Sequence, residues 1–333
     1  AYQSTVKELN GEHGLSMLRT LTVLPRDGYG YMEYVDHRLC ANDSELEQFY
    51  RNAGRITAVL HILGCTDCHH ENFIADGDQL ILIDAETLFE PEVPNHLTNA
   101  EEQSGPVSRL QTAVASSVLR SGLLPHWIFT GDSKTAIDIS ALGILPPDEP
   151  ELNQPGWVGL NTDGMRIGYL RQRVDLPTSL PFDFGTANRL TEFLEPFSVG
   201  FQEQATWLAE RRNEWLAPGG VLDRFRGLSR RILMRTTRVY YSIQQQQLAP
   251  VALKSAIEQG MKLEQLARGF LLAQERPKNW PVFEAELRQM ELLDVPFFEH
   301  QVDSCDLPLP DGMASINGFM SRSGLESCCS RLK

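Results

Sequence analysis

Cysteine is scarce and scattered in this sequence. The 333 residues hold six, at Cys40, Cys65, Cys68, Cys305, Cys328 and Cys329, too few and too widely spaced for the disulfide framework of a short secreted chain. No apolar run approaches the roughly 20 residues that span a bilayer. The first ten residues, AYQSTVKELN, lack the apolar core of a signal peptide. A reducing cytoplasm is therefore the expected compartment. Positive charge is also short: 30 Lys and Arg face 44 Asp and Glu, a net charge of −14. That balance argues against nonspecific attraction to nucleic acid or anionic membrane and suits a cationic or peptide partner. There is no internal repeat, and Gln244 to Gln247 is only a short polar run on a helical stretch. What is present, 42% hydrophobic and 22% charged residues, is ordinary for a soluble globular protein large enough for two lobes or one large domain.

The local patterns predict a helix over residues 1–10 ending near Gly11, and a strand over Leu18 to Leu24. A turn follows at Pro25-Arg-Asp-Gly28, and a returning strand at Tyr31 to Val35. A helix then opens near Asn42, with Ser44 and Glu47 spaced as a capping box. Leu46, Phe49, Ala53, Ile56, Leu60 and Leu63 form its apolar stripe, and Gly64 ends it. Asn72-Phe-Ile-Ala reads as extended, Asp76-Gly-Asp as a turn, and Gln79 to Asp84 as a strand buried on both faces. Residues 146–155 and 177–185 read as exposed connections, and the chain from Arg189 on as mostly helical.

The loop Gly64-Cys-Thr-Asp-Cys-His-His-Glu-Asn72 supports several chemistries. Cys65-x-x-Cys68-His69 is the pattern of a c-type haem attachment, but it occurs once and without an export signal. Two thiols beside two imidazoles suggest zinc, but no second ligand pair follows at zinc spacing. The plain alternative makes Cys65 and Cys68 small loop or core residues. The reading that explains the most residues is phosphoryl transfer. It needs a carboxylate beside the attacking hydroxyl, and an amide oxygen and a second carboxylate to hold magnesium on phosphates. Asp67 precedes Asn72 by five residues, and Asp84 follows at the end of the next hairpin. Asp-x-His-x-x-Asn is closer to the lipid-kinase version of this loop than to His-Arg-Asp. Tyr31-Met-Glu33-Tyr-Val35 looks like the end of a small lobe entering a hinge, which places Glu33 and Val35 at the nucleotide. Asp183-Phe-Gly185 spells a kinase metal motif, but it lies among prolines about a hundred residues past Asn72, so Asp84 is the better ligand.

Thr66-Asp67-Cys-His69-His-Glu-Asn72-Phe-Ile-Ala, followed by Leu82-Ile-Asp84-Ala-Glu86-Thr-Leu-Phe89, resembles the dehydratase domain of class II (LanM-type) lanthipeptide synthetases. So do Leu18 to Leu24, Tyr29 to Val35, Asp138-Ile-Ser140, Asn161-Thr-Asp163 and Asp294-Val-Pro-Phe-Phe298, so the resemblance covers nearly the whole chain. It implies an α+β fold with a lipid-kinase-like core. Residues 1–40 would be a remnant of the small lobe and hinge, and 41–333 the large lobe with helical elaborations. It implies ATP- and magnesium-dependent phosphorylation of Ser and Thr in a precursor peptide, then phosphate elimination to dehydroalanine and dehydrobutyrine.

On that resemblance Asp67 orients or deprotonates the substrate hydroxyl, and His69 supports the loop and the phosphate. Asn72 and Asp84 hold magnesium, and Glu86, two residues after Asp84 on the same strand face, shares the site. Elimination needs fixed positive charge at the leaving phosphate, a task suited to the arginine fork. Arg231-Ile-Leu-Met-Arg235-Thr-Thr237 is similar to the family's Arg-x-x-x-Arg-Pro-Thr element, which assigns Arg231 and Thr237 to this step. If extended, the segment would put Arg231, Leu233, Arg235 and Thr237 on one face. It has Thr236 where the family often has proline. The family's small-lobe lysine is expected upstream of Ala1, no Gly-rich loop precedes the hairpin, and nothing after Pro296 offers the zinc ligands of the usual cyclase partner. The alternatives are an ATP-dependent phosphotransferase acting on a small molecule or lipid, and an inactive kinase-like peptide-binding fragment.

Overall fold

The computed structural model describes residues 2–12, 18–93, 113–114, 116–129, 136–143, 151–173, 178–182, 190–271, 273–310 and 312–332. Asp183-Phe-Gly185 lies outside them. The described helices are α1 (Tyr2–Glu12), α2 (Asp43–Ile62), α3 (Leu194–Glu210), α4 (Arg212–Leu216), α5 (Thr237–Gln247), α6 (Ala256–Leu263), α7 (Trp280–Glu291) and α8 (Gly324–Leu332). Among the described residues ten strands pair antiparallel into five two-stranded ribbons: β1 (Val23–Arg26) with β2 (Tyr29–Met32), β3 (Phe73–Asp76) with β4 (Gln79–Leu82), β5 (Trp127–Phe129) with β6 (Ala136–Asp138), β7 (Glu151–Val158) with β8 (Arg166–Arg173), and β9 (Ser229–Ile232) with β10 (Phe298–Gln301).

The centre of the molecule is α2. The Asn42 side chain, not a Ser44–Glu47 box, caps it by accepting the Glu45 N–H at 3.0 Å. Asp43 and Glu45 add negative charge in the first turn, where the helix dipole favours it. From Asn52 to Leu60 every residue is buried, the signature of a helix enclosed on all sides. Leu46, Phe49, Tyr50, Ala53, Ile56 and Leu60 lie in the main core with Phe73, Leu80, Leu82, Leu123, Phe197 and Trp207. Burying each of the larger side chains contributes about 1.5–3 kcal/mol. Gly64 closes the helix at φ +67°, a left-handed conformation that glycine adopts without strain.

α2 and α3 cross with their backbones in contact. A Cβ on Gly54 would lie 2.0 Å from the Phe197 carbonyl oxygen, and one on Gly200 would lie 1.9 Å from that of Arg51. Beside the crossing, Arg55 donates to Glu203 at 2.8 Å and Arg51 pairs with the same carboxylate.

Several boundaries differ from those expected. β1 starts at Val23, not Leu18, because side chains capture the main chain before it. Leu18 exchanges hydrogen bonds with the Asn10 amide at 2.7 and 3.0 Å, Arg19 N–H donates to Gln79, and Leu21 N–H to Gln3. Pro25 and Arg26 belong to the strand, and Asp27-Gly28 makes the turn. β4 ends at Leu82, short of Asp84. Residues 151–155, expected as a connection, begin β7; Pro155 is tolerated there because a two-stranded ribbon leaves one edge unpaired. The chain after residue 189 also contains β9 and β10, which helical periodicity did not reveal.

β10 carries a buried histidine. His300 stands opposite Arg230 in the register, and neither ring nitrogen has a hydrogen-bond partner. Burial first, and the Arg230 charge second, push its imidazole down from the usual 6.5 to about 4. The unfolded chain therefore binds a proton below pH 6.5 that the folded chain refuses. Stability from this group is complete above 6.5 and falls as pH drops toward 4, by about 3 kcal/mol over the window. The expected result is that His300→Leu flattens the fall in urea midpoint between pH 7 and 4 by about that amount; parallel curves for the two proteins would contradict it.

Candidate active site

The loop Cys65 to Asn72 is held from behind. Cys65 N–H donates to Leu60 O at 3.0 Å, Cys68 N–H to Ser121 O at 2.8 Å, and His70 N–H to Ile139 O at 3.0 Å. The two thiols point into the core, where Cys68 Sγ donates to Cys65 Sγ at 3.2 Å and Cys65 Sγ lies 3.3 Å from Thr87 Oγ1. That thiol–thiol bond makes Cys65 the easier of the two to ionise and Cys68 the harder. Among the described residues no group of three or more His, Cys, Asp or Glu side chains is placed to hold a metal ion, so the zinc reading of this loop has no geometric support.

Facing outward, Asp67, His69 and Asn72 meet. Asn72 Nδ2 donates to Asp67 O at 2.7 Å and lies 3.4 Å from both Asp67 Oδ2 and His69 Nε2. His69 Nδ1 accepts the Glu71 N–H at 3.2 Å, so the neutral ring carries its proton on Nε2, 3.5 Å from Asp67 Oδ1. This leaves Asn72 Oδ1 without a partner among the described residues.

The next hairpin brings Asp84 beside this group: Ile83 N–H donates to Asn72 O at 3.0 Å. Asp84 is exposed, and its Oδ1 accepts the Glu86 N–H at 3.0 Å. That local bond replaces the strand ladder, so Glu86 opens a turn and does not share a strand face with Asp84. Among the described residues Asn72 Oδ1 and Asp84 Oδ2 carry no hydrogen bond; both are hard oxygen donors of the kind magnesium takes, an ion that keeps most of its shell as water and phosphate.

Arg231 comes to the site from far along the chain. Its Nη1 lies 3.8 Å from Glu86 Oε2, its guanidinium carbon 5.6 Å from the Phe297 ring centre, and its Nε is buried without a partner. Residues 1–301 match the model of a family described as a domain of unknown function, DUF4135. The chain belongs to this family, which is found in LanM-type lanthipeptide synthetases. The chain is also similar to the lacticin 481/lactococcin biosynthesis protein LcnDR2 of Lactococcus lactis subsp. lactis, 25% identical over 293 residues. That match covers 85% of this chain and 29% of the length of the relative.

Among the described residues of this DUF4135 chain, no hydrogen bond or ion pair joins Glu33, Val35 or Thr237 to the cluster. The strand ends at Ile232, Met234 and Arg235 form a bend, and Thr237 is exposed as the first residue of α5. One extended face from Arg231 to Thr237 is therefore ruled out. The bend is fixed by Arg235, which donates to Glu286 at 2.9 Å and to Leu266 O at 2.8 Å; Tyr240 donates to the same carboxylate at 2.6 Å. The Glu33 carboxylate accepts Thr22 N–H and Arg19, which hold it below the usual carboxylate range. Val35 buries its side chain with Leu21 and Ile81, behind the strand that leads to Asp84. No hydrogen bond among the described residues engages the main chain of Tyr34, Val35 or Asp36. Next to Arg231 in the chain, Arg230 pairs with Glu90 at 2.5 Å, a contact that sequence reasoning missed. Two adjacent arginines give no signal until the strand and its register are known. No helix among the described residues is long and apolar enough to cross a membrane.

Proposed function

We propose that this chain dehydrates Ser and Thr residues of a ribosomal precursor peptide in lanthipeptide biosynthesis, by ATP-dependent phosphorylation followed by phosphate elimination. The observation that carries the reading is the approach of Arg231 to Glu86, two residues from Asp84. A phosphotransferase alone has no use for a fixed arginine fork aimed at the phosphate it has just attached. Membership of DUF4135 and the likeness to a lacticin 481 biosynthesis protein favour the same reading.

Magnesium-bound ATP supplies the phosphoryl group and neutralises its developing charge. Asn72 Oδ1 and Asp84 are the donors that would hold the ion, and the open main chain around Val35 would take the adenine. Asp67, half-exposed at the mouth of the loop, receives the hydrogen bond of the substrate hydroxyl and then its proton. His69 Nε2 lies beside that carboxylate, 3.5 Å from Asp67 Oδ1. In the second step a base takes the Cα proton, the Cβ–O bond breaks with its electron pair going to phosphate, and the C=C bond forms. Arg231 meets the charge as it develops on the departing phosphate. Thr237 is assigned to this step by the family resemblance.

The test is a mass spectrum of a candidate precursor peptide after incubation with the full-length protein, ATP and magnesium. Loss of one water per modified Ser or Thr is expected. Stable gain of phosphate without water loss would favour a plain phosphotransferase, and an unchanged peptide would favour a non-catalytic peptide-binding domain.

A further inference from the structure

Consecutive residues of a strand point to opposite faces, so Arg230 and Arg231 leave β9 on opposite sides of the ribbon. The register agrees: Arg231 stands opposite the exposed Glu299 and Arg230 opposite the buried His300. Yet both arginines reach the same short piece of chain. Arg231 lies 3.8 Å from Glu86, and Arg230 donates to Glu90 at 2.5 Å. Those glutamates bracket the turn that follows Asp84.

That turn is anchored to the frame of the site. Phe89 N–H donates to Leu63 O at 2.7 Å and Glu90 N–H to Gly64 O at 3.3 Å, both at the end of α2, from which the Asp67 loop departs. Phe89 is left-handed at φ +58°, and a Cβ on Gly324 would come within 1.9 Å of its carbonyl oxygen, so α8 packs flush against the turn. The two ion pairs differ in character. The Arg230 and Glu90 side chains are 7% and 24% exposed, against 23% and 42% for Arg231 and Glu86. The first pair is short and enclosed, and Arg230 has no other hydrogen bond among the described residues. The second is long and open to an incoming anion.

We propose that Arg230 and Glu90 form a positioning pair that seats β9 on the Glu86–Glu90 turn, setting Arg231 for phosphate elimination while leaving phosphoryl transfer unaffected. This rests on the reading given under Proposed function. A buried charge pair suits such a role because it holds one register: either partner left alone would be an unpaired buried charge.

Glu90→Gln tests it in the full-length protein, with charge-conserving Arg230→Lys as the second variant should the first fail to fold. Two readouts are taken: the ratio of phosphorylated to dehydrated precursor peptide with ATP and magnesium, and hydrogen exchange across the protein without substrate. The expected result is a ratio raised about tenfold or more, since misplacing a catalytic group by about an ångström has effects of that size. Phosphoryl transfer should stay within about twofold of wild type, and exchange should quicken in 229–232 and 298–301 but not in 60–72. A reversed pair, Arg230→Glu with Glu90→Arg, should restore the ratio at least in part. Phosphorylation and elimination falling together, or an unchanged ratio, would overturn the proposal. If wild type makes neither product, the dehydratase reading fails, and exchange alone decides the clamp: quickening confined to the ribbon and turn supports it, and none overturns it.

Discussion

If the chain works as proposed, Arg231→Ala is expected to leave the precursor peptide accumulating as phosphopeptide, with elimination down about 10²–10³-fold. The physical ground is the state of the guanidinium. Its Nε is buried without a partner, and its one ionic contact among the described residues is Glu86 at 3.8 Å, too long for a good hydrogen bond. The guanidinium is thus largely unsatisfied among the described residues, beside Glu86, two residues on from Asp84. A phosphate monoester placed there supplies the acceptors that the fork lacks. Removing the fork withdraws stabilisation from the transition state for departure but leaves the donors for magnesium and the Asp67 carboxylate in place. Arg231→Lys keeps the charge and loses the bidentate geometry, so it should fall between the two. Dehydrated peptide released by Arg231→Ala at the wild-type rate would remove Arg231 from the mechanism.

Gly54→Ala is expected to be the most damaging single-methyl change in the fold. The added carbon would sit 2.0 Å from the Phe197 carbonyl oxygen and 2.8 Å from the Phe201 nitrogen. Both obstacles are main chain, so no rotamer relieves them, and α2 and α3 must separate by more than about an ångström to regain contact distance. Separation also strains the bonds of Arg51 and Arg55 to Glu203. A loss at or beyond the upper end of the roughly 1–3 kcal/mol typical of overpacking is expected in the urea midpoint. Gly200→Ala obstructs the same crossing, so the double variant should cost less than the sum of the singles. Gly260→Ala is the control: nothing lies within 4 Å of its Cβ position in α6, and alanine should stabilise the protein by about 1 kcal/mol. A Gly54→Ala protein within about 0.5 kcal/mol of wild type would mean that the helices do not cross this closely.

The parts of the site that were legible in the sequence are local. The spacing Asp67-x-His69-x-x-Asn72 lies within one loop, and the α2 stripe and the apolar run of β4 around it follow from the local pattern alone. The hairpin boundaries were misplaced because Asn10, Gln79 and Gln3 satisfy the main chain before β1 from positions up to 60 residues away, which no local pattern reports. Glu86, two residues after Asp84, would share its face if the strand ran on; β4 instead ends at Leu82, and the Asp84 side chain accepts the Glu86 N–H to open a turn. Arg231 could be named from a resemblance, but its contact with Glu86 spans 145 residues and depends on β9 pairing with a strand nearly seventy residues later. Arg230 and Glu90 had no signal because their importance lies wholly in that register.

The central claim is that Asp67, Asn72, Asp84 and Arg231 surround one magnesium–nucleotide. Manganese in place of magnesium makes this directly measurable, since the paramagnetic ion broadens nearby amide signals in a nuclear magnetic resonance spectrum. With ATP and manganese added to the full-length protein, broadening should centre on Asn72 and Ile83 to Glu86, extend to Asp67 and Arg231, and disappear in Asp84→Asn. Broadening centred elsewhere, or the same pattern without ATP and in Asp84→Asn, would contradict the account.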